Sequence, residues 1–519
     1  MNALKRAALS LSLPLLAISS VAMAEPAPVV MIDSGPIRGA IAHGYARFLG
    51  IPYAAPPIGE ARWQSPRPPV AWTTEREATR FGNTCPQKRQ FGVFSRASTT
   101  EDCLYLNVFA APGAQLRPVL FWIHGGGLVG GESDDYDPSR LVIDGDLVVV
   151  TFNYRLGRLG YLPRISSTGE GAVTANFGLL DQQFALDWVR RNIRTFGGDP
   201  DRVTIAGESA GAESVYALLA APGAAGLFHG AIAQSGGYTP RVPSVADAAS
   251  KGHAFATAAG CPDQSLTCLR SRTVDQILAA QNDFEVALLV DGTTLPLSFD
   301  TAFERGTFNR VPVLSGINKD ESLWFIATDG TPALRNAADY AAALGRQYGS
   351  AAGAVRAEYP VSDDSDLMEV FGATQTDAYF ACPQRIFDDA IARWTPLYHY
   401  EFADRTAPNY LPDVGFNLGA AHTFELGYLF PGFRGATGKQ PSLNAAQARL
   451  SKAMVRYWSR FAATGDPNGP GSALPAWPRY AAKDPATLSL RLRNPIVRRD
   501  VGSRHHCAFW RALGPLVSL

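Results

Sequence analysis

The sequence predicts an α/β fold, a mainly parallel central sheet covered by helices on both faces, with cap insertions over the strand ends. Three observations lead there. Short apolar runs recur at residues 119–123, 147–152, 203–206, 230–234, 311–315 and 397–402, each of a length and character suited to a strand buried on both faces. Between the second and third runs, residues 176–196 place Leu179, Leu180, Phe184, Ala185, Trp188 and Val189 at helical spacing, which predicts a long helix. Apolar strands alternating with helices are the pattern of a parallel sheet with crossovers. Residues 247–301 and 331–377 break the alternation with Ala-rich, helix-like stretches and are read as the cap insertions.

Composition narrows the class. The chain has 519 residues, 46% hydrophobic and 18% charged, with 47 basic and 47 acidic side chains. That apolar content excludes a disordered chain, and the neutral balance argues against a nucleic-acid or anionic-membrane partner. Residues 1–24 stand apart. Lys5 and Arg6 precede an apolar run from Ala7 to Val21, and Ala22-Met23-Ala24 supplies the small residues of a signal-peptidase site before Glu25. The run is too short to cross about 30 Å of hydrocarbon. A removed signal peptide is therefore expected, leaving 25–519 as a single domain, periplasmic or secreted, without stable membrane insertion. The chain has no Asn-x-Ser/Thr sequon, which suits a bacterial envelope better than a glycosylating pathway. Six cysteines, Cys85, Cys103, Cys261, Cys268, Cys382 and Cys507, suggest disulfides in an exported chain, although six allow fifteen connectivities. Nearest-neighbour pairing would join Cys85–Cys103 and Cys261–Cys268 and leave Cys382–Cys507. No C-x-x-C or H-E-x-x-H spacing occurs, which weakens a metal-site reading of these cysteines, and the serine chemistry read below requires neither a metal nor an organic cofactor.

The chemistry is to be sought where strands exit the sheet. After the run at 203–206 the chain reads Gly207-Glu208-Ser209-Ala210-Gly211 and enters an Ala/Leu-rich helix. G-x-S-x-G between strand and helix is a nucleophile elbow, which raises Ser209 above the sheet at a helix N-terminus. An ordinary glycine turn is the plainer reading, and the flanking strand and helix weigh against it. A serine hydroxyl needs a base, and the base needs an acid. Of His229, His253, His399, His422, His505 and His506, only His422 sits in a loop after a late strand. The strand at 311–315 runs into Asn318-Lys319-Asp320-Glu321, where Asp320 and Glu321 both qualify as the acid by position. His124-Gly125-Gly126-Gly127 follows the run at 119–123, where glycines let backbone N–H groups approach a developing oxyanion, with Ala210 N–H as a further donor. Gly125-x-Gly127-x-x-Gly130 also matches a dinucleotide fingerprint, but the acidic Glu132, Asp134 and Asp135 that follow would repel a pyrophosphate.

These motifs resemble the type-B carboxylesterases, the α/β-hydrolase family that includes acetylcholinesterase and bacterial esterases. The match extends from Arg47-Phe48-Leu49-Gly50-Ile51-Pro52-Tyr53 to Cys507-Ala508-Phe509-Trp510. Its most specific parts are Glu101-Asp102-Cys103-Leu104-Tyr105-Leu106-Asn107, Asn153-Tyr154-Arg155, Gly178-Leu179-Leu180-Asp181-Gln182 and the elbow through Ala212. The resemblance implies Glu321 as the acid, the nearest-neighbour disulfides, ion pairs Arg155–Asp181 and Arg47–Glu101, and a supporting role for Ser235. It further implies a serine carboxylic-ester hydrolase in which Ser209, His422 and Glu321 act together, Gly126, Gly127 and Ala210 hold the oxyanion, and a small-molecule ester is the substrate. A lipase- or amidase-like hydrolase shares the same core motifs, and some relatives of the fold are non-catalytic binding proteins. Cholinesterases carry a tryptophan in the loop between the first two cysteines. Here that loop has none and holds Lys88, Arg89 and Arg96, so neutral esters are the expected substrates.

Overall fold

The computed structural model describes residues 27–89, 96–163, 175–435, 438–470 and 473–514; the proposed signal segment 1–24 lies outside them. Among these residues, eleven strands form one large sheet. In chain order they are β1 (Ala40–Ala42), β2 (Tyr45–Pro52), β3 (Tyr105–Ala110), β4 (Arg117–Ile123), β5 (Val148–Phe152), β6 (Gly198–Glu208), β7 (Gly230–Gln234), β8 (Val313–Asn318), β9 (Leu397–Phe402), β10 (Thr487–Leu490) and β11 (Ile496–Arg498). Their order in space is β11-β10-β9-β8-β7-β6-β4-β5-β3-β2-β1. From β5 across to β10 every neighbour is parallel. The margins are antiparallel, β10–β11 on one side and β5–β3–β2–β1 on the other.

All six apolar runs lie in the parallel part. β7 and β9 have the predicted bounds, and β8 starts two residues later than expected, at Val313. The central strands are mainly apolar because helices cover both faces: every residue of β5, β7, β8 and β9 is buried, including the polar Gln234, Asn318, His399 and Glu401. The predicted long helix is α1 (Phe177–Asn192), continued by a 3₁₀ turn at Ile193–Phe196 that ends on Gly197 at φ 84°. Glycine supplies that left-handed stop without a Cβ clash. Helices Ala249–Ala258, Leu266–Ser271 and Val274–Ala280 fall within 247–301, and Ala337–Tyr348, Ala352–Glu358 and Leu367–Thr376 within 331–377. No helix among the described residues is long and apolar enough to cross a membrane.

The disulfides are Cys85–Cys103, Cys261–Cys268 and Cys382–Cys507. Arg155 meets Asp181 as expected, Nε and Nη2 donating to the two carboxylate oxygens at 2.8 and 2.7 Å. The other ion pair differs: Glu101 accepts from Arg62, at 2.7 Å from Nε and 2.6 Å from Nη2, not from Arg47. Arg47 lies inside β2 opposite Phe109 of β3, and its buried Nε has no hydrogen-bond partner among the described residues. Glu101 lies in the loop before β3, beside the Arg62 turn. There Arg62 also donates to the carbonyl of Arg272 at 2.8 Å, tying the body to the first cap segment.

Candidate active site

The elbow forms where β6 ends and α2 (Ala210–Ala220) begins. Ser209 stands between them at φ 57°, ψ −128°, a backbone conformation that costs a non-glycine residue about 1–3 kcal/mol. Its neighbours must be small. A Cβ on Gly207 would lie 2.5 Å from the Gly211 carbonyl, and one on Gly211 would lie 2.1 Å from the Ile123 carbonyl oxygen at the end of β4. The Ser209 N–H donates to Gln234 O of β7 at 2.9 Å, and its carbonyl accepts from Ala212 and Glu213 N–H at 2.8 and 2.9 Å. The strained residue is thus gripped on both sides.

The glycine loop arrives from β4. Gly126 and Gly127 have φ of 106° and 62°, and Gly126 O accepts from Val129 and Gly130 N–H at 3.1 and 2.9 Å, closing a tight turn. A Cβ on Gly125 would come within 3.2 Å of Ser209 Cβ, so loop and elbow are in contact. The N–H groups of Gly126, Gly127 and Ala210 donate to no protein acceptor among the described residues. The His124 ring stacks on Tyr154, whose hydroxyl donates to His124 O at 2.8 Å. Burial pulls the His124 pKa down to about 4, so this histidine stays neutral. No α-helix opens at the glycine motif itself; a 3₁₀ turn at Ser133–Asp135 comes first and a five-residue helix only at Ser139–Ile143, which does not fit the dinucleotide reading.

Glu321 and His422 converge from the exit loops of β8 and β9. Glu321 Oε2 lies 2.6 Å from His422 Nδ1, both residues buried, and Glu321 Oε1 accepts the Asn318 N–H at 2.7 Å. Asp320 turns elsewhere, accepting from Ala420 N–H at 2.8 Å and Arg405 Nε at 3.0 Å. Geometry thereby separates two acids that position left equal. His422 Nε2 lies 3.2 Å from Glu208 Oε1, off the line of a hydrogen bond, and Glu208 is the residue before Ser209.

Sequence reasoning gave Glu208 no part, although it sits inside the elbow motif. It also missed Glu425, which accepts from Gln234 Nε2 at 3.0 Å and Asn318 Nδ2 at 2.6 Å behind Glu321. Burial, with the nearby Glu425 and Glu321 charges, holds Glu208 well above the ordinary carboxyl range. Burial and Glu321 push Glu425 up to about 7. For His422, burial acts downward, but the carboxylates of Glu208 and Glu321 outweigh it and lift the imidazole to about 9. The Glu208 and His422 shifts both follow from setting one imidazole among several buried carboxyl groups.

The surroundings are aromatic: the rings of Phe325, Phe380 and Trp324 lie 5.0, 5.4 and 6.1 Å from that of His422. Ser235 is buried at the end of β7; its N–H donates to Gly316 O at 2.8 Å, and its hydroxyl has no partner among the described residues. His399 lies inside β9, and His505 is held between Asp377 and Glu401 at 2.5 and 2.9 Å. In the Cys85–Cys103 loop, Arg96 pairs with Glu132 and Asp134, and Lys88 lies 3.6 Å from Asp283. These pairings offset two of the charges expected to repel a cationic substrate.

The carboxylesterase family model matches residues 26–510. Similar proteins include the cocaine esterase of Homo sapiens, 34% identical with 98% of this chain and 95% of that protein covered. The para-nitrobenzyl esterase of Bacillus subtilis is 34% identical, with 89% and 94% covered. The fumonisin B1 esterase of Sphingopyxis macrogoltabida is likewise 34% identical, with 88% and 85% covered. Among solved structures, a thermophilic PNB esterase is similar at a TM-score of 0.78 and 32% identity, over 93% of this chain and 99% of its own. On fold, elbow and sequence together, the chain belongs to the carboxylesterase family.

Proposed function

We propose that the chain is an exported serine carboxylesterase that hydrolyses neutral carboxylic esters through an acyl-enzyme. Ser209 Oγ attacks the ester carbonyl while His422 takes its proton, and Glu321 orients the imidazole and stabilises its charged form. The N–H groups of Gly126, Gly127 and Ala210 receive the oxyanion. His422 then protonates the leaving alcohol, and water repeats the cycle on the acyl-enzyme. The observation that carries this reading is the buried 2.6 Å contact between Glu321 and His422, with His422 Nε2 turned toward the elbow residue Glu208. The competent state is the one in which His422 Nε2 carries no proton. All three similar proteins described above are named esterases, which favours ester over amide hydrolysis. The serine, the histidine and the acid together argue against a binding module that has lost its chemistry. Complete pairing of the cysteines fits an oxidising compartment, periplasmic or secreted, with the mature chain starting at Glu25.

With p-nitrophenyl butyrate as probe, Ser209→Ala and His422→Ala should each lower kcat by about a million-fold, because members of such a set act as a unit, while circular dichroism stays native. Glu321→Gln should lose more than Asp320→Asn. A phosphonylating reagent should add one adduct, on the peptide holding Ser209. Full activity in Ser209→Ala, or labelling elsewhere, would sink the mechanism.

A further inference from the structure

Thr423, directly after His422, adopts φ 70°. A β-branched residue in the left-handed region is out of place unless something holds it there. The structure supplies a holder. The Thr423 hydroxyl donates to the His422 carbonyl and is bonded to the Tyr410 hydroxyl. Tyr410 in turn accepts the indole N–H of Trp324 at 3.1 Å. A hydroxyl has one proton to donate, and that of Thr423 goes to the His422 carbonyl, so the chain has one direction: Trp324 N–H to Tyr410, Tyr410 to Thr423, Thr423 to the His422 carbonyl. Trp324, Tyr410 and Thr423 are all buried. The Tyr410 ring packs edge-on against Phe424 and Phe433, centroids 5.4 and 5.7 Å away, which fixes where its hydroxyl points.

This chain runs beside the Glu321–His422 bond and joins the same two segments. Trp324 lies on α3 (Ser322–Thr328), three residues beyond Glu321, and Thr423 is one residue beyond His422. We infer that Tyr410 and Thr423 are positioning residues. The Tyr410 hydroxyl keeps Thr423 in its strained backbone conformation, and that conformation sets the His422 imidazole against Glu321. The inference rests on the proposed role of His422 as base.

Three variants test it, with kcat and KM for p-nitrophenyl butyrate and the rate of phosphonylation as readouts. Thr423→Val keeps the β-branch and removes the hydroxyl; Thr423→Gly removes the hydroxyl and the strain together, since glycine adopts this φ freely. Tyr410→Phe removes the holder and keeps the ring. Misplacing a reacting group by a fraction of an ångström to an ångström lowers rates steeply, so Thr423→Val and Tyr410→Phe should each lose about ten- to hundredfold in kcat and in phosphonylation rate, with KM little changed. Thr423→Gly should stay near wild type, and Tyr410→Phe combined with Thr423→Gly should be faster than Tyr410→Phe alone. A hydrogen bond that mattered only to stability would affect Thr423→Val and Thr423→Gly alike. The inference is overturned if the glycine variant is as slow as the valine one, or if both Thr423→Val and Tyr410→Phe match wild type. Retained activity in His422→Ala would instead overturn the function on which it rests. Should Thr423→Val fail to fold, the comparison of Tyr410→Phe with the double variant decides the question.

Discussion

At His422, three carboxyl groups compete to set the charge of one imidazole. Glu321 holds Nδ1, Glu208 faces Nε2 at 3.2 Å, and Glu425 lies behind Asn318. On the proposed mechanism His422 must lose its proton before it can take one from Ser209, so kcat/KM should rise with pH toward the alkaline range, His422 being lifted to about 9. Glu208 is one source of that lift. Glu208→Gln removes it, and the acid limb of the profile should move to lower pH; a limb that stays put or moves up would show that Glu208 does not govern the proton. The elbow itself was legible in the sequence because Gly207, Ser209 and Gly211 are neighbours whose strain and packing are local. The choice of Glu321 over Asp320 was not legible from position. Those two residues share a loop, and what parts them is Arg405 and the Ala420 N–H, partners 85 and 100 residues away. Glu425 was hidden for the same reason: its partners Gln234 and Asn318 sit on other strands.

Among the elements, the segment that closes the chain is fastened by a second buried histidine. His505 lies between Asp377, which opens a π-turn at Asp377–Ala381, and Glu401 of β9. Tyr359 donates to Asp377 at 2.6 Å, and Arg504 to Glu401 at 2.8 Å. Burial acts to lower the His505 pKa, but the Asp377 and Glu401 carboxylates outweigh it and raise it to about 10. A raised histidine stabilises fully below its ordinary value of 6.5 and loses that contribution as pH climbs through about 10. His505→Gln should therefore lower stability by about 3–5 kcal/mol near pH 6, the range for breaking a buried pair. The gap to wild type in denaturant midpoint should shrink steadily toward pH 10; a gap independent of pH would mean that the imidazole is not charged in the native state.

The central parallel strands were legible because burial on both faces makes them mainly apolar, with isolated polar residues such as His399 and Glu401 in β9. The antiparallel margin was not. β2 contains Gly50 and Pro52 and its pairing with β3 shifts register between Phe48 and Ile51, so neither an apolar run nor a clean alternation marks it.

For the molecule as a whole, the disulfides differ in reach. Cys382–Cys507 spans 125 residues and Cys261–Cys268 only 7. On chain entropy alone the long loop contributes about 5 kcal/mol and the short one about 2.5 kcal/mol. Replacing both cysteines of each pair with alanine should show the same order in urea unfolding; equal losses would mean that the short bridge acts through native packing in the cap. The long bridge also encloses a particular stretch of chain: His422, β9, β10 and the helix Ala445–Thr464 lie inside the ring, whereas Ser209 and Glu321 lie outside it. A single proteolytic cut anywhere inside that ring leaves two polypeptides still covalently joined. Nicked protein would run as one band on a gel until reduced, and a cut between Cys382 and His422 would leave the fragment bearing His422 no route to diffuse away from the one bearing Ser209. In a medium rich in proteases, that turns an otherwise terminal backbone break into a scar the molecule carries.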